Sequence, residues 1–288
     1  MIVTPRHTLP LNIPADTAVL VVGDVHGQAD ALENLLHHFR KITTSGLKRH
    51  LVFLGDLIDR GPDSKRCLEL ALNHAADIAR ADDITFLPGN HELMLRDAFL
   101  SMEHPDDAKL AKGGQSWMLN GGIAFLQQTI GELDKDPQVM LSRFEHALGL
   151  SQPFVEMVES WPSHITIGDT VLVHAGVRPD VSIEESVAPS HADHISNNTH
   201  WAWIRDAFLL WNNGFSFQDG RSAFVVHGHS IPMPARNPDN MQDPDNLWNI
   251  LAKPEYNRLC LDAGAAKSSG VGGAVFVENA ARVVFSPC

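Results

Sequence analysis

The sequence predicts an α/β fold, because strand-like and helix-like segments alternate along it. Short apolar runs at Thr17–Val22, Leu51–Leu54 and Ile84–Leu87 suit strands that are buried on both faces. Each run is followed by polar residues and then by a segment with helical spacing of its apolar residues. Such strand–helix units in succession are typical of α/β proteins.

Two helices are predicted between these strands, each from apolar residues spaced by three or four positions. The buried face of the first helix would contain Leu32, Leu35, Leu36 and Phe39. The buried face of the second helix would contain Leu68, Ala71, Leu72 and Ala75. From residue 93 to 162 the pattern is helical, with interruptions expected at Gly113-Gly114 and Gly121-Gly122. We interpret this segment as a helical insertion within a single domain that spans residues 1–288.

The second half of the chain is richer in β-like segments. A hairpin is predicted from His164–Ile167 and Val171–Val173, followed by a helix at His200–Trp211 and a strand at Ala223–Val226. A long proline-rich loop should follow, and it includes residues 237–255. Paired strands are predicted near the end of the sequence, at Arg258–Leu261, Ala274–Val277 and Arg282–Phe285.

The composition restricts the classes of partner. With 22 basic and 35 acidic residues the net charge is −13, so no basic excess is present to bind a nucleic-acid backbone non-specifically. An anionic substrate would need a local source of positive charge, such as metal ions or arginines. Three scattered cysteines indicate reduced thiols, and no stretch approaches the ~18 apolar residues of a membrane span. Because the first residues also lack the apolar core of a signal peptide, we expect a cytoplasmic protein.

Polar residues of a particular kind follow five of the predicted strands. They are Asp24 with His26, Asp56, Asn90 with His91, His174, and His227 or His229. If neighbouring strands lie side by side, these strand exits converge, as ligand-binding residues do in open α/β sheets. Carboxylate, imidazole and amide oxygen suit Mn²⁺, Fe or Zn²⁺. Ligands in this number predict two ions with one carboxylate shared between them.

The motifs at these exits resemble the signatures of a known family. Gly-Asp-Val-His-Gly (23–27), Gly-Asp-Leu-Ile-Asp-Arg-Gly (55–61), Gly-Asn-His-Glu (89–92), His-Ala-Gly (174–176) and Gly-His (228–229) are similar to those of the calcineurin-like metallophosphoesterases. More closely, they resemble the bacterial serine/threonine phosphoprotein phosphatases, and the segments 203–205 and 261–265 extend the likeness. The resemblance implies a four-layer αββα sandwich, in which two mixed β-sheets face each other between helices. The first three strand–helix units would form one sheet, and the second half of the chain would form most of the other.

The resemblance also implies a metal-binding role for several of these residues. The first ion would be bound by Asp24, His26 and Asp56, and the second by Asp56, Asn90, His174 and His229. Asp56 would therefore bridge the two ions. Mn²⁺ is the expected metal, with Fe or Zn²⁺ as alternatives. His227 is expected to orient a ligand rather than to bind metal itself.

Catalysis by such a site would proceed by direct in-line attack on phosphorus, as the resemblance implies. The nucleophile would be a hydroxide that bridges the two ions. His91 would protonate the leaving group, and Asp59 would hold its ring. Arg60 and Arg205 would bind the phosphoryl oxygens through their planar guanidinium groups.

Three functions are compatible with these motifs. The first is a phosphatase that acts on phosphoserine or phosphothreonine in proteins or peptides, and phosphotyrosine or a small phosphoester stays open as its substrate. The second is a hydrolase of dinucleoside polyphosphates such as diadenosine tetraphosphate, and the third is a metal-binding scaffold that has lost catalysis. Asp59, Arg60 and Glu92 favour the first function, because the sister family of dinucleoside polyphosphate hydrolases tends to have other residues at these positions. The scaffold is disfavoured because His91, Arg60 and the ligands are all present.

Histidines and tryptophans at residues 191–211 have a more ordinary interpretation. His191, His194 and His200 could suggest a third metal site, but in so polar a segment we expect them to be solvated. Trp201, Trp203 and Trp211 are expected to be core or pocket wall. A stacking platform for nucleic acid would need interleaved basic residues, and these are missing.

Overall fold

The predicted layer architecture is confirmed by a computed structural model, which describes residues 1–42, 44 and 46–288. Within these residues, two mixed sheets pack face to face and helices cover their outer faces. The strands are β1 (Ile2–Val3), β2 (His7–Thr8), β3 (Thr17–Val22), β4 (Lys48–Phe53), β5 (Asp83–Phe86), β6 (His164–Ile167), β7 (Thr170–Val173), β8 (Phe215–Ser216), β9 (Ser222–His227), β10 (Ala252–Lys253), β11 (Arg258–Cys260), β12 (Gly270–Val277) and β13 (Ala280–Pro287).

The helices lie mainly between β3 and β6. They are α1 (Ala29–Lys41), α2 (Ser64–Glu69), α3 (Ala75–Ala79), α4 (Asn90–Glu103), α5 (Ala108–Trp117), α6 (Ile123–Ile130), α7 (Pro137–Leu148), α8 (Phe154–Ser160), α9 (Ile183–Ser186), α10 (Asp206–Leu209) and α11 (Pro244–Leu251). Single π-helical turns connect α2 to α3 and α5 to α6. Within the described ranges, none of the helices combines the length and the apolar character needed to cross a membrane.

The first sheet combines strands from both halves of the chain. β3, β4 and β5 are parallel neighbours, with Leu20 opposite Leu51 and Val52 opposite Thr85. On its other side β3 pairs antiparallel with β12, and the β12–β13 hairpin is extended by β1 and β2. The predicted pairing of the last strands is therefore correct for β12 and β13, whereas β11 belongs to the second sheet.

The second sheet comes from the second half of the chain, as predicted. β9 lies parallel to β7 on one side and to β11 on the other. β6 and β10 are its antiparallel edges, and β8 pairs with β9. The carboxyl ends of β7 and β9 thus lie next to each other, which brings together the residues that follow them.

The core lies on both faces of each sheet. Val19 and Val21 of β3 belong to a buried cluster that contains Val226 of the opposite sheet. Leu20, between them, belongs to a second cluster that contains the apolar face of α1 and Trp117 of α5. This alternation follows from the two-residue period of a strand, and it requires apolar layers on both sides of β3.

The helices predicted before residue 90 are confirmed, and one position differs. The four apolar residues expected on the inner face of α1 are all buried. In the second helical segment Leu68, Ala71 and Ala75 are buried, whereas Leu72 is only partly so. A π-helical turn at Leu70–His74 shifts the inner face of this segment, which accounts for the difference.

The predicted interruption at Gly113-Gly114 is wrong, because both glycines lie inside α5. A Cβ atom on Gly113 would lie 2.1 Å from Oδ2 of Asp97 on α4. These glycines therefore allow two helices to approach closely. The interruption at Gly121-Gly122 is confirmed, since the backbone of Gly121 is non-helical with φ 130°.

Two predictions for the second half of the chain are also wrong. The helix expected at His200–Trp211 is reduced to α10, because Arg205 has non-helical dihedrals of φ −130° and ψ −94°. The proline-rich loop contains three 3₁₀ turns, the helix α11 and the short strand β10. Asp243 caps α11 by accepting from the N–H of Asn246, and Pro244 occupies the first helical position, where proline is favoured.

Candidate active site

The predicted site residues follow the carboxyl ends of five strands, and the structure brings these ends together. Asp24 and His26 follow β3, Asp56 follows β4, and Asn90 and His91 open α4 after β5. In the facing sheet, His174 follows β7 and His229 follows β9. All seven side chains are buried, at 0% to 7% exposure.

Asp56 lies at the centre of this arrangement. Its Oδ2 is 3.4 Å from Nε2 of His26, and its Oδ1 is 3.5 Å from Nε2 of His174. Among the described residues, two groups of side chains offer donor atoms close enough to hold a cation, and both contain Asp56. One group adds His174 and His229, and the other adds His26 and His91. A carboxylate with one oxygen toward each group suits a bridge between two ions.

Two of the histidines are held in the form that a metal ligand requires. Nδ1 of His26 lies 3.0 Å from the carbonyl oxygen of Ile58, and Nδ1 of His174 lies 2.8 Å from that of Leu54. Each Nδ1 therefore donates to a carbonyl, and each Nε2 keeps a lone pair toward the site. Burial also lowers their pKa values, to about 3 for His26, and this favours the neutral form of both rings.

The other predicted ligands, Asn90, Asp24 and His229, lie close to His26 and His174 or to each other. Oδ1 of Asn90 is 3.1 Å from Nε2 of His174. Oδ2 of Asp24 is 3.9 Å from Nε2 of His26, and both Asp24 oxygens accept from the backbone N–H of His229 at 3.0 Å. Within the described part of the chain, Nε2 of His229 is buried without a hydrogen-bond partner. A buried ring nitrogen without a partner, placed among carboxylates and imidazoles, fits a divalent cation.

The buried carboxylates give a second reason for cations at this position. Burial, and then the charges of Asp262 and Asp56, raise the pKa of Asp24 well above its usual value. Burial is also the main cause that raises the pKa of Asp262 to about 6 and that of Glu92 to about 7. Asp56 is the exception, because the surrounding histidines lower its pKa although burial opposes this. Positive ions would offset the mutual repulsion of these groups.

His91 is paired with Asp59 beside this centre. Nδ1 of His91 lies 2.6 Å from Oδ2 of Asp59, and its backbone N–H donates to Oδ1 of Asp56 at 3.1 Å. Burial opposes a positive charge on His91, but Asp56 and Asp59 outweigh it and raise its pKa above 6.5. The indole N–H of Trp117 donates to both oxygens of Asp59, at 3.0 and 3.1 Å.

The two arginines are anchored differently. Nη1 of Arg205 donates to the carbonyl oxygen of His229 at 3.2 Å and to Oγ of Ser230 at 3.0 Å. Nε of Arg60 donates to the carbonyl oxygen of Asn120 at 3.2 Å. Both side chains are exposed, so their remaining N–H groups can meet a ligand that arrives from solvent.

The backbone at the site is strained in a consistent way. Positive φ angles occur at His26 (44°), Asp56 (52°), Asp59 (71°), Arg60 (69°) and His229 (63°). Non-glycine residues rarely adopt such angles, which persist where the surrounding structure holds them and cluster at functional sites. The turns after β3, β4 and β9 thus share this conformation.

Two glycines of the motifs allow the carboxylates to approach the backbone closely. A Cβ atom on Gly89 would lie 2.1 Å from Oδ1 of Asp56, and one on Gly228 would lie 2.0 Å from Oδ1 of Asp24. No side chain fits at these distances. The glycines of Gly-Asn-His-Glu and Gly-His therefore serve the geometry of the predicted ligands.

Outside this centre, the structure corrects one expectation. His194 and His200 are buried, and His191 is largely so, which contradicts the prediction that they are solvated. Nε2 of His194 lies 2.9 Å from Oδ2 of Asp97, and its Nδ1 accepts from Trp203 at 3.1 Å. These hydrogen bonds and the neighbouring aromatic rings compensate for the loss of water.

Some residues near the site were not assigned a role from the sequence. Trp117 has no motif around it, and its contact with Asp59 joins positions 58 apart. Asp262 lies in the segment 261–265, which extends the likeness to the phosphatases, and its charge is close enough to raise the pKa of Asp24. His227 packs edge-on against Phe208, with ring centroids 4.8 Å apart, and its expected orienting role stays a prediction.

Comparison with known proteins agrees with this geometry. Serine/threonine-protein phosphatase 1 of Salmonella typhimurium is 36% identical over 111 residues, which are 38% of this chain and 42% of that protein. A symmetrical bis(5'-nucleosyl)-tetraphosphatase of Acidovorax sp. (strain JS42) is 32% identical over 175 residues, 59% of this chain and 48% of that protein. The matches thus span less than half the length of either relative.

A solved structure and a family sequence profile also match this chain. The crystal structure of a cold-active protein-tyrosine phosphatase from a psychrophilic Shewanella species superposes with a TM-score of 0.56 at 16% identity. That superposition covers 96% of this chain and 83% of the other, and it shows a common fold. The sequence profile of the calcineurin-like phosphoesterases matches residues 17–261. This chain therefore belongs to the calcineurin-like phosphoesterase family.

Proposed function

We propose that the protein hydrolyses phosphomonoesters with the aid of two divalent ions, and that phosphoserine and phosphothreonine in proteins or peptides are its substrates. The observation that supports this proposal best is the buried Asp59–His91 pair, 2.6 Å apart, beside the oxygens of Asp56. A protein that only binds metal has no use for an acid in this position. Hydrolysis of an alkyl ester needs one, because an alkoxide is a poor leaving group.

The roles of the side chains follow from their hydrogen bonds. Oδ2 of Asp59 accepts a hydrogen bond from the Nδ1–H of His91, so the opposite ring nitrogen of His91 can give its proton to the departing oxygen. The charge of Asp59 stabilises the protonated ring before that transfer. Arg60 and Arg205 bind and orient the phosphoryl oxygens.

The residues that would hold the ions are those brought together by the strand exits. Asp24, His26 and Asp56 would hold one ion, and Asp56, Asn90, His174 and His229 the other, with Mn²⁺ as the expected metal. When bound, two such ions supply an activated water and offset charge on the phosphoryl group. His26 and His174 contribute because their hydrogen bonds to backbone carbonyls fix the ring orientation.

A second candidate is the hydrolysis of dinucleoside polyphosphates. The relative from Acidovorax sp. (strain JS42), whose name gives this activity, shares 32% identity over 59% of this chain. The same acid and cations would serve cleavage between phosphates. A phosphate leaving group departs more readily than an alkoxide, however, so His91 would be needed less.

The test is a comparison of turnover by protein loaded with Mn²⁺. Phosphoserine, phosphothreonine and phosphotyrosine peptides would be compared with diadenosine tetraphosphate, and metal-free protein would be the control. The proposal expects the highest kcat/KM with phosphoserine or phosphothreonine peptides. Faster hydrolysis of diadenosine tetraphosphate would favour the second candidate, and no turnover of any substrate at full metal content would favour a scaffold.

A further inference from the structure

We propose that Trp117 is a positioning residue for the Asp59–His91 pair. The helical region after α4 would then help to hold the proposed catalytic acid, His91, in place. This inference rests on the proposed phosphatase function and assigns part of that function to a segment outside the motifs. Trp117 is the last residue of α5 and is fully buried. It reaches Asp59 from a part of the chain that contains none of the predicted ligands.

The hydrogen bonds of Asp59 carry the first step of the argument. Nε1 of Trp117 lies 3.1 Å from Oδ1 and 3.0 Å from Oδ2, so a single N–H is shared by both oxygens. Oδ2 also contacts Nδ1 of His91 at 2.6 Å. The indole thus fixes the plane of the Asp59 carboxylate. Because Oδ2 of this carboxylate accepts from His91, its plane sets the orientation of the His91 ring.

The backbone gives an independent reason for such support. Asp59 and Arg60 have positive φ angles of 71° and 69°, a conformation that costs energy for residues with a side chain. Ser64 compensates in part, because its Oγ accepts from the N–H of Asp59 at 2.9 Å. The turn therefore needs further contacts to keep its geometry.

The segment 117–128 makes one contact with each of three consecutive residues of this turn. Trp117 donates to Asp59, Nε of Arg60 donates to the carbonyl oxygen of Asn120, and Nε2 of Gln128 donates to the carbonyl oxygen of Gly61 at 3.1 Å. Asp59, the partner of the predicted acid His91, and the predicted phosphate-binding residue Arg60 are therefore held by the same segment. Such support determines how precisely catalytic groups are placed.

A purely structural role for Trp117 makes a different prediction. Its ring packs against Phe144 with centroids 5.8 Å apart, and loss of this packing would destabilise the whole region. Destabilisation alone lowers the amount of folded enzyme, and it affects every substrate by the same factor. A positioning role acts on the proton transfer, and it therefore depends on the leaving group.

The experiment compares a phosphoserine peptide with p-nitrophenyl phosphate, whose leaving group departs without a proton. In Trp117→Phe, kcat for the peptide should fall about 10-fold, the scale of one hydrogen bond to a charged group. The loss with the aryl ester should be clearly smaller, and both KM values and the metal content should be unchanged. Phe144→Leu is the matched control, since it disturbs the same packing without touching Asp59, and it should lower both kcat values equally or not at all.

A second replacement separates the hydrogen bond from the shape of the ring. Benzothiophene in place of the Trp117 indole keeps the bicyclic shape and exchanges the N–H for sulfur, so it tests the proposal even if Trp117→Phe fails to fold. The same substrate-dependent loss would support positioning by the N–H. Unchanged kcat, or equal losses with both esters in an active protein, would overturn this inference. Inactivity of the unaltered protein toward both esters would instead refute the proposed function, on which the inference rests.

Discussion

The carboxylate of Glu92 accepts a hydrogen bond from the backbone N–H of Asp56, with 2.8 Å between that nitrogen and Oε2. Oε1 accepts from the N–H of Leu57 at 2.8 Å, and Oε2 also accepts from the N–H of Gly89 at 2.9 Å. One side chain therefore joins the start of α4 to the turn after β4, and these segments supply Asn90 and Asp56. From the sequence, Glu92 indicates a substrate class, whereas in the structure it holds this turn.

Glu92→Gln should lower the free energy of unfolding by about 1–3 kcal/mol, the cost of a buried polar group without a partner. A glutamine has a single acceptor oxygen, so one of the three backbone N–H groups would face the amide N–H₂ instead. The measurement is urea unfolding at pH 6, below the pKa of about 7 to which burial raises Glu92. At this pH the carboxyl group is mostly protonated, so the exchange for glutamine removes an acceptor without also removing a buried charge.

Glu103→Gln is the control for this change, because Glu103 is exposed at the end of α4. It should leave the free energy of unfolding within about 0.5 kcal/mol of the unaltered protein. Equal stability of the Glu92→Gln and Glu103→Gln proteins would show that the three backbone hydrogen bonds contribute nothing.

Asp56→Asn should reduce bound metal below two ions per chain and turnover by at least about 10²-fold. The amide offers one oxygen where the carboxylate turns one oxygen toward His26 and the other toward His174. Elemental analysis and phosphatase assays measure the two effects, and circular dichroism checks that the strand exit still folds. Asp106→Asn, at an exposed position, should change neither quantity. Two tightly bound ions with normal turnover in Asp56→Asn would rule out the bridge.

His200 should make the folded state sensitive to acid. It is fully buried, its Nε2 lies 3.0 Å from the carbonyl oxygen of Ser190, and its Nδ1 accepts from the N–H of Ala202 at 3.1 Å. Burial lowers its pKa from 6.5 to about 4, so below pH 6.5 the unfolded chain binds a proton that the folded chain does not. The stabilisation is therefore complete above pH 6.5 and is lost as the pH falls toward 4, on the order of 3 kcal/mol in total.

His200→Gln should accordingly flatten the dependence of stability on pH. Urea unfolding at pH 7.5 and pH 5 gives the difference in unfolding free energy, which should shrink by about 2 kcal/mol relative to the unaltered protein. His37→Gln, at an exposed position of α1, should leave that difference as it was. An unchanged difference in His200→Gln would mean that the proton on His200 has no part in acid unfolding.

The convergence of the predicted ligands could be predicted from the sequence because it follows from strand order. Asp24, Asp56 and Asn90 follow three parallel neighbours of one sheet, whose carboxyl ends meet at the same edge. His174 and His229 follow two parallel neighbours of the other sheet. Apolar runs and the residues at their ends contain enough information for this part of the site.

Contacts between distant segments could not be predicted in this way. Trp117 reaches Asp59 across 58 positions, and His194 reaches Asp97 across 97. Neither contact leaves a local pattern, since a tryptophan near the end of a helix and a histidine in a polar segment suit many surroundings. The prediction of a helix around Arg205 was wrong because the local pattern was again ambiguous. The apolar residues of this segment, such as Ile204 and Phe208, are buried by a compact turn just as they would be by a helix.

The last prediction concerns His91, on which the proposed mechanism depends most directly. If His91 gives a proton to the leaving oxygen, His91→Asn should slow hydrolysis of a phosphoserine peptide by about 10²–10⁴-fold, the usual contribution of a general acid. The loss with p-nitrophenyl phosphate should be clearly smaller, because nitrophenolate departs without that proton. Both ions should stay bound, which elemental analysis would check, since Asn90 and the other predicted ligands are unchanged.

If His91 instead binds an ion, as its place beside His26 and Asp56 would also allow, the metal content should fall and hydrolysis of both esters should slow by the same factor. Equal losses in kcat at full metal content, with the chemical step limiting for both esters, would exclude His91 as the acid.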